Sequence, residues 1–152
     1  YMSQIKICGN CFNPYIGNSK LCSICESPAR FKGVIAVVEK ATDLLSLEKT
    51  KKFNGRYLVL GDLGKSGVME PEQKLRLETL KKYITKELSG VADEIVLAVS
   101  PTSYGDLNAS MLQKELAQFT KKLTRLGRGI PTGGEIEFAD EETLGAAIDG
   151  RI

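Results

Sequence analysis

Two unbroken apolar runs, Val34-Ile35-Ala36-Val37-Val38 and Ile95-Val96-Leu97-Ala98-Val99, constrain this fold more than any other feature. A strand with no polar residue on either side has to be covered on both faces, which is the situation of strands in a parallel sheet. Each run ends in polar residues: Glu39 follows the first, and Ser100-Pro101-Thr102-Ser103-Tyr104-Gly105-Asp106 follows the second. In open α/β sheets the carboxyl ends of the strands are where ligands and active sites lie.

Between and beyond these runs, helical and strand patterns alternate. Thr42 and Asp43 are suited to cap a helix that turns Leu44, Leu45 and Leu47 inward and Glu48, Lys49, Lys51 and Lys52 outward, with Asn54-Gly55 ending it. A strand over Tyr57 to Leu60 runs into Gly61-Asp62-Leu63-Gly64-Lys65-Ser66-Gly67, a glycine-rich loop without the Gly-x-x-x-x-Gly-Lys spacing of a phosphate-wrapping loop. Pro71 fits the first position of a helix with Leu77, Leu80, Ile84 and Leu88 on one stripe, closed by Ser89-Gly90. A further helix carries Met111 or Leu112, Leu116 and Phe119, and a fourth strand covers Leu123 to Leu126. After the segment Gly127 to Gly134, Glu135 to Phe138 alternates as an edge strand would, and Asp140 can cap a short last helix. The expected architecture is α/β: a mostly parallel four-stranded sheet with right-handed crossovers and helices on both faces.

Ahead of the sheet stand all four cysteines of the chain, as Cys8-Gly9-Asn10-Cys11 and Cys22-Ser23-Ile24-Cys25. Two such pairs across a short loop supply four thiolates for a tetrahedral structural zinc site, closed to solvent and to chemistry. Disulfides or free thiols are the competing reading, and export, which would favour disulfides, has no support in the sequence. No stretch approaches the roughly 18 to 20 apolar residues of a membrane helix. The N-terminus lacks the apolar core of a signal peptide, so a cytoplasmic location is expected.

The net charge of +2 conceals an asymmetry. Basic residues outnumber acidic ones up to residue 129, whereas residues 130–152 carry a single basic residue, Arg151, among several acids. A basic body suits a polyanion and an acidic tail suits a basic neighbour, although solvated surface lysines, such as Lys81, Lys82 and Lys86, give the plainer reading. Histidine is absent, which removes Ser-His-Asp and Cys-His nucleophile systems and histidine metal ligands.

Several segments together resemble the RecR family of bacterial recombination mediators. The cysteine unit with Phe12-Asn13 resembles that family's zinc finger, and Val37-Val38-Glu39 with Tyr57-Leu58-Val59-Leu60-Gly61 resembles its Toprim domain. Gly129-Ile130-Pro131-Thr132-Gly133-Gly134-Glu135, followed by Thr143-Leu144 and Gly150-Arg151, resembles its C-terminal signature. The resemblance implies three parts: a four-cysteine zinc finger over 1–31, a Toprim domain over 32–128 and a C-terminal strand-helix oligomerisation segment over 129–152. It also implies a ring or clamp of several subunits that binds DNA, works with RecO- and RecF-type proteins to load a recombinase, and is not an enzyme. The family's N-terminal helix-hairpin-helix precedes the part that this sequence matches.

Catalytic Toprim domains hold magnesium with a glutamate after strand one and an Asp-x-Asp pair after strand three. The resemblance puts Glu39 at the first position and Ser100 and Thr102 at the other two. Neutral hydroxyls do not replace anionic ligands for a hard divalent ion. The expected role of Glu39, Ser100, Thr102, Tyr104 and Asp106 is therefore partner binding, while a carboxylate tied to nearby loop N–H groups is an equal reading for Glu39. A metal-dependent nuclease or primase-like enzyme using Glu39 and Asp106 is the alternative. Lys32, Arg56, Arg125 and Arg128 are the expected DNA-binding cations.

Overall fold

The computed structural model describes residues 5–61, 69–99, 103–126 and 135–151, with the side chains at 103–105 and 138 left aside. Four strands, β3 (Val34–Val38), β4 (Arg56–Val59), β5 (Glu94–Ala98) and β6 (Leu123–Arg125), form one fully parallel sheet in the order β4-β3-β5-β6. Ahead of it, β1 (Lys6–Ile7) and β2 (Pro14–Tyr15) make a two-stranded antiparallel hairpin, followed by the single-turn helix α1 (Ser23–Glu26). Four longer helices complete the chain: α2 (Ala41–Lys49), α3 (Pro71–Glu87), α4 (Ser103–Leu116) and α5 (Glu141–Asp149).

The two-residue period of a strand explains why β3 is apolar throughout. Ile35 and Val37 face a core built with Leu77, Leu80 and Ile84 of α3 and Ala109, Leu112 and Leu116 of α4. Ala36 and Val38 face the opposite way, onto Leu44 of α2, Tyr57, Val59 and the four cysteines. The cysteine unit is therefore part of the second layer of the fold. Its four cysteines and Leu44 of α2 pack together on that face of the sheet.

Helix boundaries follow local chemistry. Pro71 opens α3, and the Gln73 side chain accepts the Glu70 N–H at 2.8 Å. Ser89 (φ 58°) and Gly90 (φ 95°) then take left-handed conformations that stop it. In α2 the cap is Lys40 and not Thr42 or Asp43. Asp43 sits three residues inside and accepts the Lys40 N–H at 3.2 Å. Leu44 and Leu45 are about 100° apart around the helix axis, so Leu44 is buried while Leu45, expected inside, is 56% exposed. Asp140 caps α5 as expected, accepting the Thr143 N–H at 2.6 Å, a bond that holds its carboxyl below the usual range. The segment Glu135 to Phe138 departs from its expected strand. Residues Ile136–Phe138 form a 3₁₀ turn in which the Ala139 N–H bonds to the Ile136 carbonyl at 3.2 Å. An alternating pattern makes a strand only where an edge is available to pair with, and among the described residues none reaches this segment.

One glycine is fixed by close approach. A Cβ at Gly55 would stand 2.2 Å from the Val34 carbonyl oxygen and 2.8 Å from the Phe53 ring, both held by the β3–β4 junction. Gly55→Ala should cost about 1–3 kcal/mol and lower the melting temperature by about 5 °C. Gly145→Ala, where nothing lies within 4 Å, should leave it unlowered. Equal melting temperatures for the two variants would show that the junction yields.

Candidate metal centre and the strand-end face

The hairpin and α1 bring two knuckles together. In the first, the Cys8 carbonyl accepts the Phe12 N–H at 2.9 Å and Asn13 accepts the Cys8 N–H at 3.0 Å, with Phe12 at φ 64° to close the turn. In the second, α1 places Cys22 and Cys25 one turn apart. All four cysteines are buried, and their Sγ atoms lie within 4.8 Å of one another. A tetrahedral ion with metal–sulfur bonds of about 2.3 Å separates its sulfurs by about 3.8 Å, so the donor set fits a soft divalent metal.

The surroundings prepare the sulfurs for charge. The Cys22 N–H points at Cys8 Sγ (3.5 Å) and the Asn10 amide at Cys25 Sγ (3.7 Å). The Sγ atoms of Cys11 and Cys22 stand 3.5 Å apart, within reach of a hydrogen bond between them. The hydrogen bond from Cys11 lowers Cys22 to about 6, and the same bond, with burial, pushes Cys11 up. A bound cation removes that conflict by stabilising every thiolate at once. Among the described residues, these cysteines are the one group of three or more metal-capable side chains brought together.

Three ties fasten this centre to the sheet. The Val59 N–H, on the outer edge of β4, donates to the Cys11 carbonyl at 2.8 Å. Arg56 reaches from the start of β4 to the far knuckle, with Nη1 on the Ile24 carbonyl (2.8 Å) and Nη2 on the Ser27 carbonyl (2.9 Å). Arg76 of α3 lies 5.0 Å from the centre of the Phe12 ring while donating to the Val59 carbonyl at 3.0 Å and pairing with Glu72 at 2.7 Å. A second network supports the same region. Arg30 pairs with Glu48, and Glu48 accepts the Tyr57 hydroxyl at 2.5 Å; burial foremost, and then this carboxylate, raises the Tyr57 phenol above its ordinary value.

At the strand ends, Glu39 follows β3 half-buried, its carbonyl accepting the Gly61 N–H at 2.9 Å. Gly61 has φ 102°, the conformation that a side chain would resist. Asp106 lies in the first turn of α4 and pairs with Arg125 of β6 at 2.9 Å. Ser100, Thr102, the Tyr104 side chain and Arg128 lie outside the described residues. Of the expected DNA-binding cations, Lys32 is exposed, and Arg125 is partly exposed with its charge opposed by Asp106. Arg56 is corrected: it is 5% exposed and committed to two carbonyls, so it offers no surface to a polyanion. The signal for its structural role was its position, directly after a glycine and directly before the apolar run Tyr57-Leu58-Val59-Leu60, where a charge enters the sheet.

A Toprim domain model matches residues 33–127, and a model for the RecR C-terminal part matches residues 129–152. The chain is 37% identical over 150 residues to a recombination protein RecR of Frankia casuarinae, covering 97% of this chain and 72% of that protein. A protein of the same name from Chloroflexus aggregans is 38% identical over 151 residues, covering 98% and 70%. One from Paenarthrobacter aurescens is 39% identical over 150 residues, covering 97% and 72%. The chain belongs to the RecR family. Its four-cysteine centre, Toprim sheet and C-terminal segment thus occur in one chain of that family, with a role in recombination. No helix among the described residues is long and apolar enough to cross a membrane.

If Arg56 is the tie inferred from its bonds, Arg56→Gln should destabilise the chain by about 2 kcal/mol, the scale of hydrogen bonds made by a charged donor. It should also speed the transfer of bound metal to a chelator. Urea unfolding and a chromophoric chelator read the two effects; an unchanged transfer rate would separate Arg56 from the metal centre.

Proposed function

We propose that this protein is a non-catalytic subunit of a DNA recombination and repair machine. In this reading several copies form a ring or clamp that holds DNA without regard to sequence and engages RecO- and RecF-type proteins to promote recombinase loading in the cytoplasm. The observation that carries the reading is the state of the strand ends. The resemblance puts Ser100 and Thr102 at the positions of a catalytic Toprim domain's two aspartates, and of the two carboxylates left, Glu39 and Asp106, the second pairs with Arg125. A carboxylate engaged by a guanidinium is a poor ligand for a hard cation, and phosphoryl transfer depends on such a cation.

The parts then divide the work. Cys8, Cys11, Cys22 and Cys25 hold a structural zinc ion, since four protein sulfurs leave no open position for a reacting molecule. The face that carries Glu39 and Asp106, with Ser100, Thr102 and Tyr104, receives a protein partner. Lys32, Arg125 and Arg128 contribute to a basic surface for DNA. The C-terminal part joins copies: no residue of α5 is buried within its own chain, and Ile136 and Ile148 are 69% and 59% exposed.

Incubation with single-stranded and gapped DNA in magnesium or manganese should yield no cleavage. Cleavage that disappears in Glu39→Ala and Asp106→Ala would replace the scaffold with a metal-dependent nuclease. DNA affinity should fall steeply with salt, as phosphate contacts release counterions, and Lys32→Glu should weaken it alike for every sequence. Salt-insensitive binding would reject the basic surface. Mass in solution should drop when residues 130–152 are removed, and native mass spectrometry should find one zinc per chain.

A further inference from the structure

A cavity of about 520 Å³ lies between the cysteine knuckles and α3. Of the four cysteines, Cys25 alone contributes to its wall, beside Gly9, Lys20, Lys32 and Arg56. Cys25 is also the least enclosed of the four, at 8% exposed against 0% for Cys8 and Cys11 and 2% for Cys22. Water-borne reagents therefore have one sulfur to reach. Arg56 adds a second, independent feature. Its guanidinium is buried, its Nε has no hydrogen-bond partner, and among the described residues no carboxylate lies within ion-pairing distance of it. A buried charge without a counterion is costly. Four thiolates around a divalent ion carry a net negative charge, and Arg56 shares a wall with one of them, so the sulfur cage is the counterion.

Access to a single thiolate, with cations around it, is the setting in which a cysteine is oxidised selectively. We infer that Cys25 is the site at which a hydroperoxide reacts with the cysteine centre, which makes that centre a redox-sensitive clasp on the sheet. The Cys25 sulfur attacks the near oxygen of the peroxide, the O–O bond breaks, and hydroxide departs among the cations of the wall, leaving a sulfenic acid on Cys25. Cys22, the other thiolate of the same knuckle, has its sulfur within 4.8 Å. It attacks the Cys25 sulfur, closes a disulfide and expels a second hydroxide. Two electrons leave two sulfurs and reduce one peroxide, so no further reactant is needed. A metal that has lost two of four donors is released. The knuckle carbonyls that hold Val59 and Arg56 then lose their frame.

The inference rests on the zinc reading above, and one series of measurements separates the two. Native mass spectrometry of the zinc-loaded chain comes first, since a chain without zinc would overturn that reading and this inference together. Hydrogen peroxide is then added, with a chromophoric chelator to read released zinc and dimedone to trap sulfenic acid. Zinc release should keep pace with modification of Cys25, the dimedone adduct should form on Cys25, and without dimedone a Cys22–Cys25 disulfide should appear. The oxidised chain should melt about 10 °C lower, because binding of a structural zinc ion is folding free energy. Reduction with added zinc should restore it. A Cβ at Gly9 would meet nothing within 4 Å, so Gly9→Leu narrows the cavity without crowding the knuckle. It should slow zinc release about fivefold at an unchanged melting temperature, since oxidation follows exposure of the sulfur. If proximity alone decided, Cys11 and Cys22, 3.5 Å apart, would pair instead. That disulfide, a first adduct on Cys8, Cys11 or Cys22, zinc retained under peroxide, or an unchanged rate in Gly9→Leu would overturn the inference and leave the zinc reading standing.

Discussion

The bond from the Val59 N–H to the Cys11 carbonyl joins the two halves of the structure. β4 is an edge strand, and an open parallel edge exposes a row of unpaired backbone groups. Here the first cysteine knuckle takes up that edge, and the sulfurs behind it pack on Ala36, Val38, Tyr57 and Val59. Whatever holds the knuckles in shape also holds the second layer of the sheet. A metal in this centre therefore contributes to the stability of the whole sheet, since β3, the central strand, has one of its two faces covered by the cysteine unit and α2. The same geometry makes Arg56 costly and useful at once. Its burial removes a guanidinium from water, and its two bonds to the far knuckle are what that burial secures.

Coupling between the cysteine centre and the strand ends follows from this. Phe12, in the first knuckle, lies against Arg76, and Arg76 bonds to the Val59 carbonyl next to Leu60 and Gly61. Gly61 in turn donates to the Glu39 carbonyl. A short chain of contacts thus runs from the sulfur cage to the acidic residue at the end of β3. Most steps are directed hydrogen bonds or ring contacts, so a displaced knuckle would be felt at the end of β3.

Much of this was legible in the residues. The runs at Val34 and Ile95 carried enough information to imply a two-faced parallel sheet, because only that arrangement buries every side chain of such a strand. The cysteine spacing carried the cluster of four sulfurs, because two such pairs across a short loop are the pattern of a four-thiolate site. What escaped depended on three-dimensional neighbours. Leu45 follows Leu44 in sequence, and which of them is buried depends on which helix face meets Ala36, Val38 and Tyr57, a contact made by Leu44. Arg56 reads as a surface cation until the knuckle carbonyls that it meets are known, and these lie about thirty residues away in the chain. Glu135 to Phe138 has the alternation of a strand, but alternation names a face and not a partner.

The strand-end face draws its character from a pairing that alternation and composition do not reveal. Asp106 and Arg125 come from α4 and β6, and the parallel β5–β6 register aligns Leu97 with Arg125, bringing a cation to the side of the sheet where a catalytic site would need carboxylates alone. An exposed ion pair of this kind contributes little to stability, on the order of 1 kcal/mol or less. Its consequence is chemical: it neutralises one of the two acids that a cation would need. With Ser100 and Thr102 following β5 in the sequence, the segment after that strand adds no carboxylate before Asp106. Such a face is easier to desolvate against another protein than a cluster of free carboxylates would be, because fewer uncompensated charges must leave water.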